Sequence, residues 1–316
     1  MRKQVDATAV AIMVALCLAW GLQQVAIKAV AGDIPPMLQI GLRSGVAAAL
    51  VWLFNQLVSR ERWLPGVARG AGLVTGGLFA LEFVFVAMGL RWTNASHMAV
   101  FLYTAPMFAA IGLHVRLPDE RLARLQWAGI AIAFTGIAIT FLGPALLGAD
   151  IPGSPFWLLG DFMGLCAGAA WGLTTVVVRT SRLSEAPATQ TLFYQLAGAF
   201  VVLVPFAFLT GQAHFHGTPL ALASLAFQTL LVSFVSYLVW FWLLRRYLAA
   251  RIGILSFMTP LFGVAFGVVL LHERVEPAFL FGSALVLIGL LVVNAQSWVR
   301  QAFGRRAANA NGARVS

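Results

Sequence analysis

Ten long apolar stretches, separated by short polar segments, occupy almost the whole chain. Each has about the 20 residues that an α-helix needs to cross the hydrocarbon core of a bilayer. The stretches are 7–30, 36–58, 70–90, 94–115, 124–143, 157–179, 187–209, 219–243, 250–271 and 276–298. The segments between them hold turn and charged residues. This pattern predicts an all-α integral membrane protein with ten transmembrane helices.

The composition supports a membrane protein. Of the 316 residues, 60% are hydrophobic and 10% are charged, whereas a soluble globular protein has about 25% charged residues. The bilayer must therefore be the solvent for most of the chain. Cys17 and Cys166 lie inside apolar stretches, where we expect neither a disulfide nor a zinc site. The first stretch is too long for the apolar core of a cleaved signal peptide, so we expect it to be retained as a helix.

The formal net charge of +10 is better explained by orientation in the membrane than by nucleic-acid binding. Cytoplasmic loops of membrane proteins carry an excess of Lys and Arg. With both termini in the cytoplasm, seventeen of the 21 Lys and Arg residues fall on the cytoplasmic side. Arg91 and Arg274 fall outside, and Lys28 and Arg43 lie within apolar stretches. The distribution predicts a multi-pass protein of the cytoplasmic (inner) membrane with N and C termini in the cytoplasm.

Short motifs recur in the same order about 150 residues apart. The first is Ala19-Trp20-Gly21, which recurs 151 residues later as Ala170-Trp171-Gly172. Further matches relate Lys28 to Arg179, Pro36 and Gln39 to Pro187 and Gln190, Pro106-Met107-Phe108 to Pro260-Leu261-Phe262, Glu120-Arg121 to Glu273-Arg274, and Gly129 and Gly136 to Gly282 and Gly289. The series indicates a duplication. Because each copy has an odd number of spans, the second enters the membrane in the opposite sense, which is typical of secondary transporters.

The duplication predicts the domain organisation. We expect a first five-helix repeat over 1–150, a second, inverted repeat over 151–300, and a disordered basic cytoplasmic tail over 301–316. The recurring glycine pairs allow helices to pack closely, either within one molecule or in a dimer. The pattern therefore leaves a monomer and a homodimer both open.

Several of these motifs together resemble a known family. They are Ala19-Trp20-Gly21 in the first helix, Arg43 in the second, the run Ala95, Ser96, Ala99 and Pro106, and Glu120-Arg121-Leu122 after the fourth helix. In this order they are similar to the drug/metabolite transporter superfamily, specifically its EamA-type exporters, over about residues 7–298. The resemblance implies ten helices, cytoplasmic termini and efflux of small metabolites, often amino acids. It also implies a cavity lined mainly by the third, fourth, eighth and ninth helices, with contributions from the first and sixth.

The candidate substrate-binding residues begin with three ionisable side chains inside apolar stretches. An ionisable side chain at membrane depth is costly and marks substrate or proton paths by default. Glu82 either binds a cationic group or carries a proton, or it is a protonated carboxyl that hydrogen-bonds between helices. Arg43 pairs with Glu82, binds a substrate carboxylate, or reaches the membrane surface. His97 either relays protons to the cavity or faces the lipid headgroups.

Aromatic and hydroxyl side chains complete the candidate set. Tyr103 is expected either to face the cavity or to pack between helices. Ser236, Tyr237 and Trp240 follow helical spacing and predict a cavity wall, the alternative being hydrogen bonding between helices. Trp20 and Trp171 either line a site for an apolar or aromatic substrate or fill space beside the neighbouring glycines. Pro106 and Pro260 predict helix breaks that allow gating.

The sequence favours a transporter over other classes. It carries no phosphate-binding loop, no metal-ligand spacing and no hydrolase motif, so we expect neither an enzyme nor a cofactor or bound metal. The leading hypothesis is a secondary transporter that exports small organic metabolites, such as amino acids, by alternating access. An importer of a vitamin or nucleobase on the same scaffold is the first alternative, and a membrane enzyme or scaffold without flux is the second. Coupling to protons is left open.

Overall fold

The computed structural model describes residues 6–146, 155–247 and 249–293. Within these ranges the chain forms ten apolar helices, of which the last is the shortest. They are α1 (Ala7–Ala29), α2 (Pro36–Ser59), α3 (Gly70–Gly89), α4 (Ala95–Arg116), α5 (Arg124–Gly143), α6 (Trp157–Thr180), α7 (Ala188–Leu209), α8 (Pro219–Leu243), α9 (Ile252–Leu271) and α10 (Pro277–Val293). The ten-helix prediction is confirmed, and the predicted ends agree with the helices to within a few residues. The end of the predicted stretch 276–298 and the whole of the predicted tail 301–316 lie outside the described residues.

The ten helices alternate in direction between two faces of the bundle. We call the face on which α1 begins the near face and the opposite one the far face. The near face carries the connections α2–α3, α4–α5, α6–α7 and α8–α9, and the far face carries the others. Contacts between connections agree with this assignment, because His216 donates its backbone N–H to Asp33 O at 2.9 Å on the far face.

The two five-helix halves run through the bundle in opposite senses, as the antiparallel packing of equivalent helices shows. In α2 and α7, Gly41 lies against Val204 and Gly45 lies against Phe200. Residue numbers therefore increase along α2 in the direction in which they decrease along α7, so the two helices are antiparallel. Because α2 and α7 occupy the same place in their repeats, the two repeats are inverted. The predicted inverted repeat is therefore confirmed.

The recurring glycines bring α5 and α10 into close contact in the same antiparallel manner. A Cβ added to Gly136 would lie 2.5 Å from Gly282 O, and one added to Gly129 would lie 2.7 Å from Gly289 O. Backbones approach this closely only where no side chain intervenes. Of the two uses predicted for these glycines, packing within the molecule is the one observed.

Helices of one repeat also pack on helices of the other across the middle of the bundle. α3 packs on α6 and α7, and α8 packs on α1 and α2. Gly21 in α1 lies against α9 at Thr259 and Gly263, and Gly172 in α6 lies against α4 at Ala105 and Ala109. The interior at mid-depth is thus built from both repeats, which is where secondary transporters place their binding sites.

Two equivalent helices are interrupted near their middles. In α4 the segments Ala95–Leu102 and Ala105–Arg116 are separated by two residues. In α9 the segment Ala249–Leu255, which begins three residues before the apolar range, is separated from Met258–Leu271 in the same way. Pro106 and Pro260 each lie in the first turn of the second segment. There the missing N–H is tolerated, while the ring prevents the helix from continuing regularly from the preceding turn. The predicted positions of the helix breaks agree with the structure.

A third irregularity lies in α8. Its central part, Phe227–Ser236, is a π-helix, a form that is rare and frequently found at functional sites. The wider turn changes which side chains share a face. It also places Gln228 and Ser236 in the interior, where both are buried.

Candidate functional site

An acidic and a basic side chain are buried between α2 and α3. Glu82 is 4% exposed and Arg43 is 2% exposed. They interact electrostatically with each other and with Tyr237 of α8. Within the described residues, however, Glu82 and Arg43 form no direct ion pair, and both Glu82 Oε2 and Arg43 Nε are buried without a hydrogen-bond partner. Both side chains therefore have a polar atom available to a third group.

The guanidinium of Arg43 is held by a chain of buried amides. Its Nη1 donates to Gln228 Oε1 at 3.4 Å, and its Cζ lies 4.8 Å from the centre of the Phe83 ring. Gln228 Nε2 donates in turn to Gln39 Oε1 at 2.8 Å and to Ser224 Oγ at 3.0 Å. Because Gln39 is on α2 and Gln228 is on α8, this network fixes Arg43 between the two repeats.

The Gln39 end of the network is anchored to backbone. Its Nε2 donates to Ile27 O at 3.0 Å and to Ile34 O at 2.7 Å. Ser224 Oγ donates to Ala26 O at 2.9 Å. These carbonyls belong to the end of α1 and the turn that follows it. The position of Arg43 is therefore set by rigid elements rather than by a single flexible contact.

Aromatic side chains from four helices make contacts between the helices. Trp20 Nε1 donates to Ser236 Oγ at 2.8 Å, and the Trp20 and Trp240 rings meet edge to face at 5.5 Å between centroids. Tyr103 and Trp171 make a similar contact at 5.4 Å and 88°. Trp20 and Trp171 thus make defined contacts between helices, and their role in lining a site stays a prediction.

Tyr237 connects the charged pair with the aromatic residues. It interacts electrostatically with Arg43 and Glu82, and Tyr103 interacts with it in the same way. We call Glu82, Arg43, Tyr237, Tyr103 and Trp20 the central site. Four members come from α1, α2, α3 and α4 of the first repeat, and Tyr237 comes from α8 of the second, so both repeats contribute to the site.

Several other buried polar atoms lack a partner. Besides the two atoms of the central site, they are Gln24 Oε1, Thr75 Oγ1, Thr259 Oγ1, Ser283 Oγ, and the facing pair His97 Nε2 and Glu276 Oε2, which lie 3.5 Å apart. A buried polar atom is normally hydrogen-bonded to protein or to ordered water. Gln24 and Thr259 lie on α1 and α9, which pack against each other. Such a set indicates an interior that accommodates water or a polar solute.

His97 lies in a separate polar cluster on the far face, not in the central site. Its Nδ1 is 2.9 Å from Asp161 Oδ2, its Nε2 is 3.5 Å from Glu276 Oε2, and its ring stacks on Phe279 at 3.8 Å. The interaction with His97 lowers the pKa of Glu276 below its usual range. His97 is buried, so it does not face the lipid headgroups. Thr93 donates a further hydrogen bond to Asp161.

Two functional candidates in the structure were not predicted from sequence. Asp161 is a carboxylate inside the apolar stretch 157–179, which is the same signal that identified Glu82. Gln228 gave no comparable signal, because an uncharged amide in an apolar helix is common in membrane proteins. Among the described residues, no group of His, Cys, Asp and Glu side chains has an arrangement that could hold a metal ion.

Comparisons with known proteins agree with this geometry. The sequence profile of the EamA-like transporter family matches residues 7–142 and again residues 158–295. An uncharacterized transporter of Bacillus subtilis, YoaV, is 24% identical over 281 residues, which cover 89% of this chain and 94% of that protein. A probable amino-acid metabolite efflux pump of Salmonella typhimurium is 28% identical over 284 residues, covering 86% of this chain and 90% of that protein.

Further relatives extend the comparison. The Escherichia coli protein with the same description is 27% identical over 283 residues, covering 86% of this chain and 90% of that protein. A solved crystal structure with 20% sequence identity superposes with a TM-score of 0.61, covering 91% of this chain and 96% of that one; it shows the fold alone. Since the family profile matches each five-helix half in turn, the chain belongs to the EamA-like transporter family.

Proposed function

We propose that this protein is a secondary transporter that exports amino acids or related small metabolites across the cytoplasmic membrane by alternating access. The repeats, spanning about 1–150 and 151–300, rock around the central site, which opens first to one face and then to the other. The near face is the cytoplasmic one, because the described Lys and Arg residues of the short connections collect there.

The observation that carries the proposal is the buried charge pair of the central site. A zwitterion carries one positive and one negative group. Glu82 complements the positive group and Arg43 complements the negative group. Burying either charge is costly unless it is paired. The network from Gln228 holds Arg43 in place, while Glu82 Oε2 has no hydrogen-bond partner. A bound amino acid would satisfy both groups.

The surrounding side chains suit the remainder of such a substrate. Trp20, Trp171 and Tyr103 present aromatic surface, and the hydroxyls of Tyr237 and Ser236 add hydrogen-bonding groups. Binding sites for small molecules are typically apolar pockets with few, well-placed polar groups. The relatives described as probable amino-acid metabolite efflux pumps support the same substrate class.

Flux measurements in proteoliposomes test the proposal. Purified protein is reconstituted, and uptake and efflux of radiolabelled amino acids and other metabolites are measured in both directions, with and without a pH gradient. Saturable flux of an amino acid is the expected result. Stimulation by the pH gradient would identify proton coupling, and its absence would leave the gradient of the substrate as the driving force.

A matched pair of variants links the flux to the central site. Glu82→Gln keeps the size of the side chain and removes its charge, so we expect it to lower amino-acid flux. Glu185→Gln makes the same change at an exposed position on the near face and should leave flux unchanged. Flux of a vitamin or nucleobase alone would favour the importer, and no flux of any solute would contradict the proposal.

A further inference from the structure

Equivalent residues of the two repeats form ion pairs on opposite faces of the bundle. On the far face, Lys28 Nζ lies 3.4 Å from Glu273 Oε1. On the near face, Arg179 Nη2 lies 3.0 Å from Glu120 Oε1. Arg179 follows Lys28 by 151 residues and Glu273 follows Glu120 by 153, so the two pairs are related by the inverted repeat.

The two pairs differ in how firmly they are held. The side chain of Glu273 is 5% exposed, whereas that of Glu120 is 31% exposed and that of Arg179 is 63% exposed. Ion pairs at exposed positions contribute little to stability. The near-face pair is thus an exposed contact, whereas the far-face pair joins a buried carboxylate to the side chain of Lys28, which is 27% exposed.

Glu273 additionally holds the first turn of α4. Its carboxylate accepts hydrogen bonds from the backbone N–H of Ala95 at 2.7 Å, from that of Ser96 at 3.0 Å, and from Ser96 Oγ at 2.6 Å. A carboxylate at a helix N-terminus is favoured by the helix dipole. Lys28 completes the contact, because its Nζ donates to Thr93 O at 2.5 Å. The α9–α10 connection of one repeat is therefore tied to α1 and α4 of the other.

The packing of α4 against α9 shows the same difference between the faces. On the far-face side, a Cβ added to Gly263 would lie 2.6 Å from Ala99 Cβ, so these helices are in close contact. The residue equivalent to Ala99, 154 positions on, is Gly253. A Cβ added there meets no atom of the described chain within 4 Å. At these positions α4 and α9 are thus in contact on the far-face side and apart on the near-face side.

We infer that Lys28 and Glu273 form a latch that closes the far face, and that Arg179 and Glu120 form its counterpart on the near face. The two latches become buried in alternation. In this structure Glu273 of the far-face latch is buried against α4, whereas the near-face ion pair is formed at an exposed position, where α4 and α9 are apart. During transport Glu273 releases the first turn of α4 while Glu120 becomes buried as the near-face halves of α4 and α9 come together. The inference rests on the proposed alternating access.

Cysteine labelling in lipid nanodiscs tests the latch without requiring any substrate, because both faces are accessible to the reagent. Cys17 and Cys166 are first replaced by Ser. A single reporter is then introduced, either Ala99→Cys on the far-face side or Gly253→Cys on the near-face side, and its rate of reaction with a membrane-impermeant maleimide is measured. With both latches intact, Gly253→Cys should react quickly and Ala99→Cys slowly.

Glu273→Gln should reverse this preference. We expect labelling of Ala99→Cys to rise about tenfold and labelling of Gly253→Cys to fall, since losing one charge-assisted hydrogen bond shifts an equilibrium by about that factor. Glu120→Gln is the matched control and should leave Ala99→Cys protected. Rates that stay within about twofold of the parent in Glu273→Gln would overturn the inference.

A second variant covers the case in which Glu273→Gln fails to fold. Lys28→Gln breaks the ion pair but leaves the carboxylate on the first turn of α4, so it should produce a smaller shift in the same direction. An unchanged labelling pattern in folded Lys28→Gln protein would then contradict the latch. The labelling result can be distinguished from the result of the flux measurements. A labelling shift without any flux would contradict the proposed transport and would still support the latch as a contact that changes with conformation.

Discussion

The role of Gln228 gives the sharpest test of how the central site is built. Gln228→Met keeps the approximate volume and flexibility of the side chain and removes its polar atoms. Among the described residues, Gln228 is the one hydrogen-bond partner of the Arg43 guanidinium. We expect the variant to fold, with Arg43 free to adopt other orientations.

The size of the effect follows from the type of contact that is lost. A hydrogen bond to a charged group contributes about 1.5–3 kcal/mol, and about 1.4 kcal/mol corresponds to a factor of ten in affinity. If Arg43 binds the substrate carboxylate only when it is correctly placed, the KM for flux should rise about 10- to 150-fold in Gln228→Met. The maximal rate should change much less, because the gating contacts are intact.

The assay is concentration-dependent flux in proteoliposomes, corrected for the amount of reconstituted protein. Gln56→Met is the matched control, since Gln56 is exposed on α2, and its KM should equal that of the parent. Gln228→Glu adds a second readout: a carboxylate there pairs with Arg43 directly and should lower flux while the protein remains stable. A normal KM in both Gln228 variants would refute the idea that this amide positions Arg43.

Two further predictions concern stability. Gly136→Ala places a methyl group 2.5 Å from a carbonyl of α10 and should lower the free energy of unfolding in detergent by about 1–3 kcal/mol. Gly77→Ala is the control, because a Cβ there meets no described atom within 4 Å, and it should be neutral or slightly stabilising. Equal stability of the two variants would contradict the close packing of α5 on α10. The pKa of Glu276 is lowered by His97, so the stabilising contribution of this carboxylate is present at neutral pH and is lost as the pH falls below about 4.3. The difference in melting temperature between the parent and His97→Gln should therefore shrink as the pH falls through that range. A difference that grows would contradict the stabilising interaction between His97 and ionised Glu276.

The sequence was sufficient to predict the architecture because the bilayer constrains it so strongly. Every spanning helix needs a long apolar stretch, and each such stretch is visible in a single sequence. The inverted repeat was equally accessible, since glycines that allow close packing, such as Gly136 and Gly282, recur at equivalent places. The sequence left open whether these glycines pack within one molecule or in a dimer, and the structure shows Gly136 and Gly282 in contact within the chain.

The site was predictable only in part, because hydropathy does not reveal how each helix is rotated. Glu82 and Arg43 stood out as charges at membrane depth, and the structure buries both. The partners of His97 were not predictable, since Asp161 and Glu276 come from two other helices whose rotation depends on the whole bundle. Gln228 was hidden for a different reason: the π-helix in α8 changes the face that its side chain occupies.

The account can be tested most directly by measuring how the protein distinguishes an amino acid from analogues that lack one of its charges. Counterflow KM values are compared for a transported amino acid, its amide, which lacks the carboxylate, and its N-acetyl derivative, which lacks the ammonium group. If the central site binds the zwitterion, Arg43→Gln should abolish the discrimination against the amide, and Glu82→Gln should abolish the discrimination against the N-acetyl derivative. Full discrimination against both analogues in both variants would show that the transported molecule does not meet these two charges.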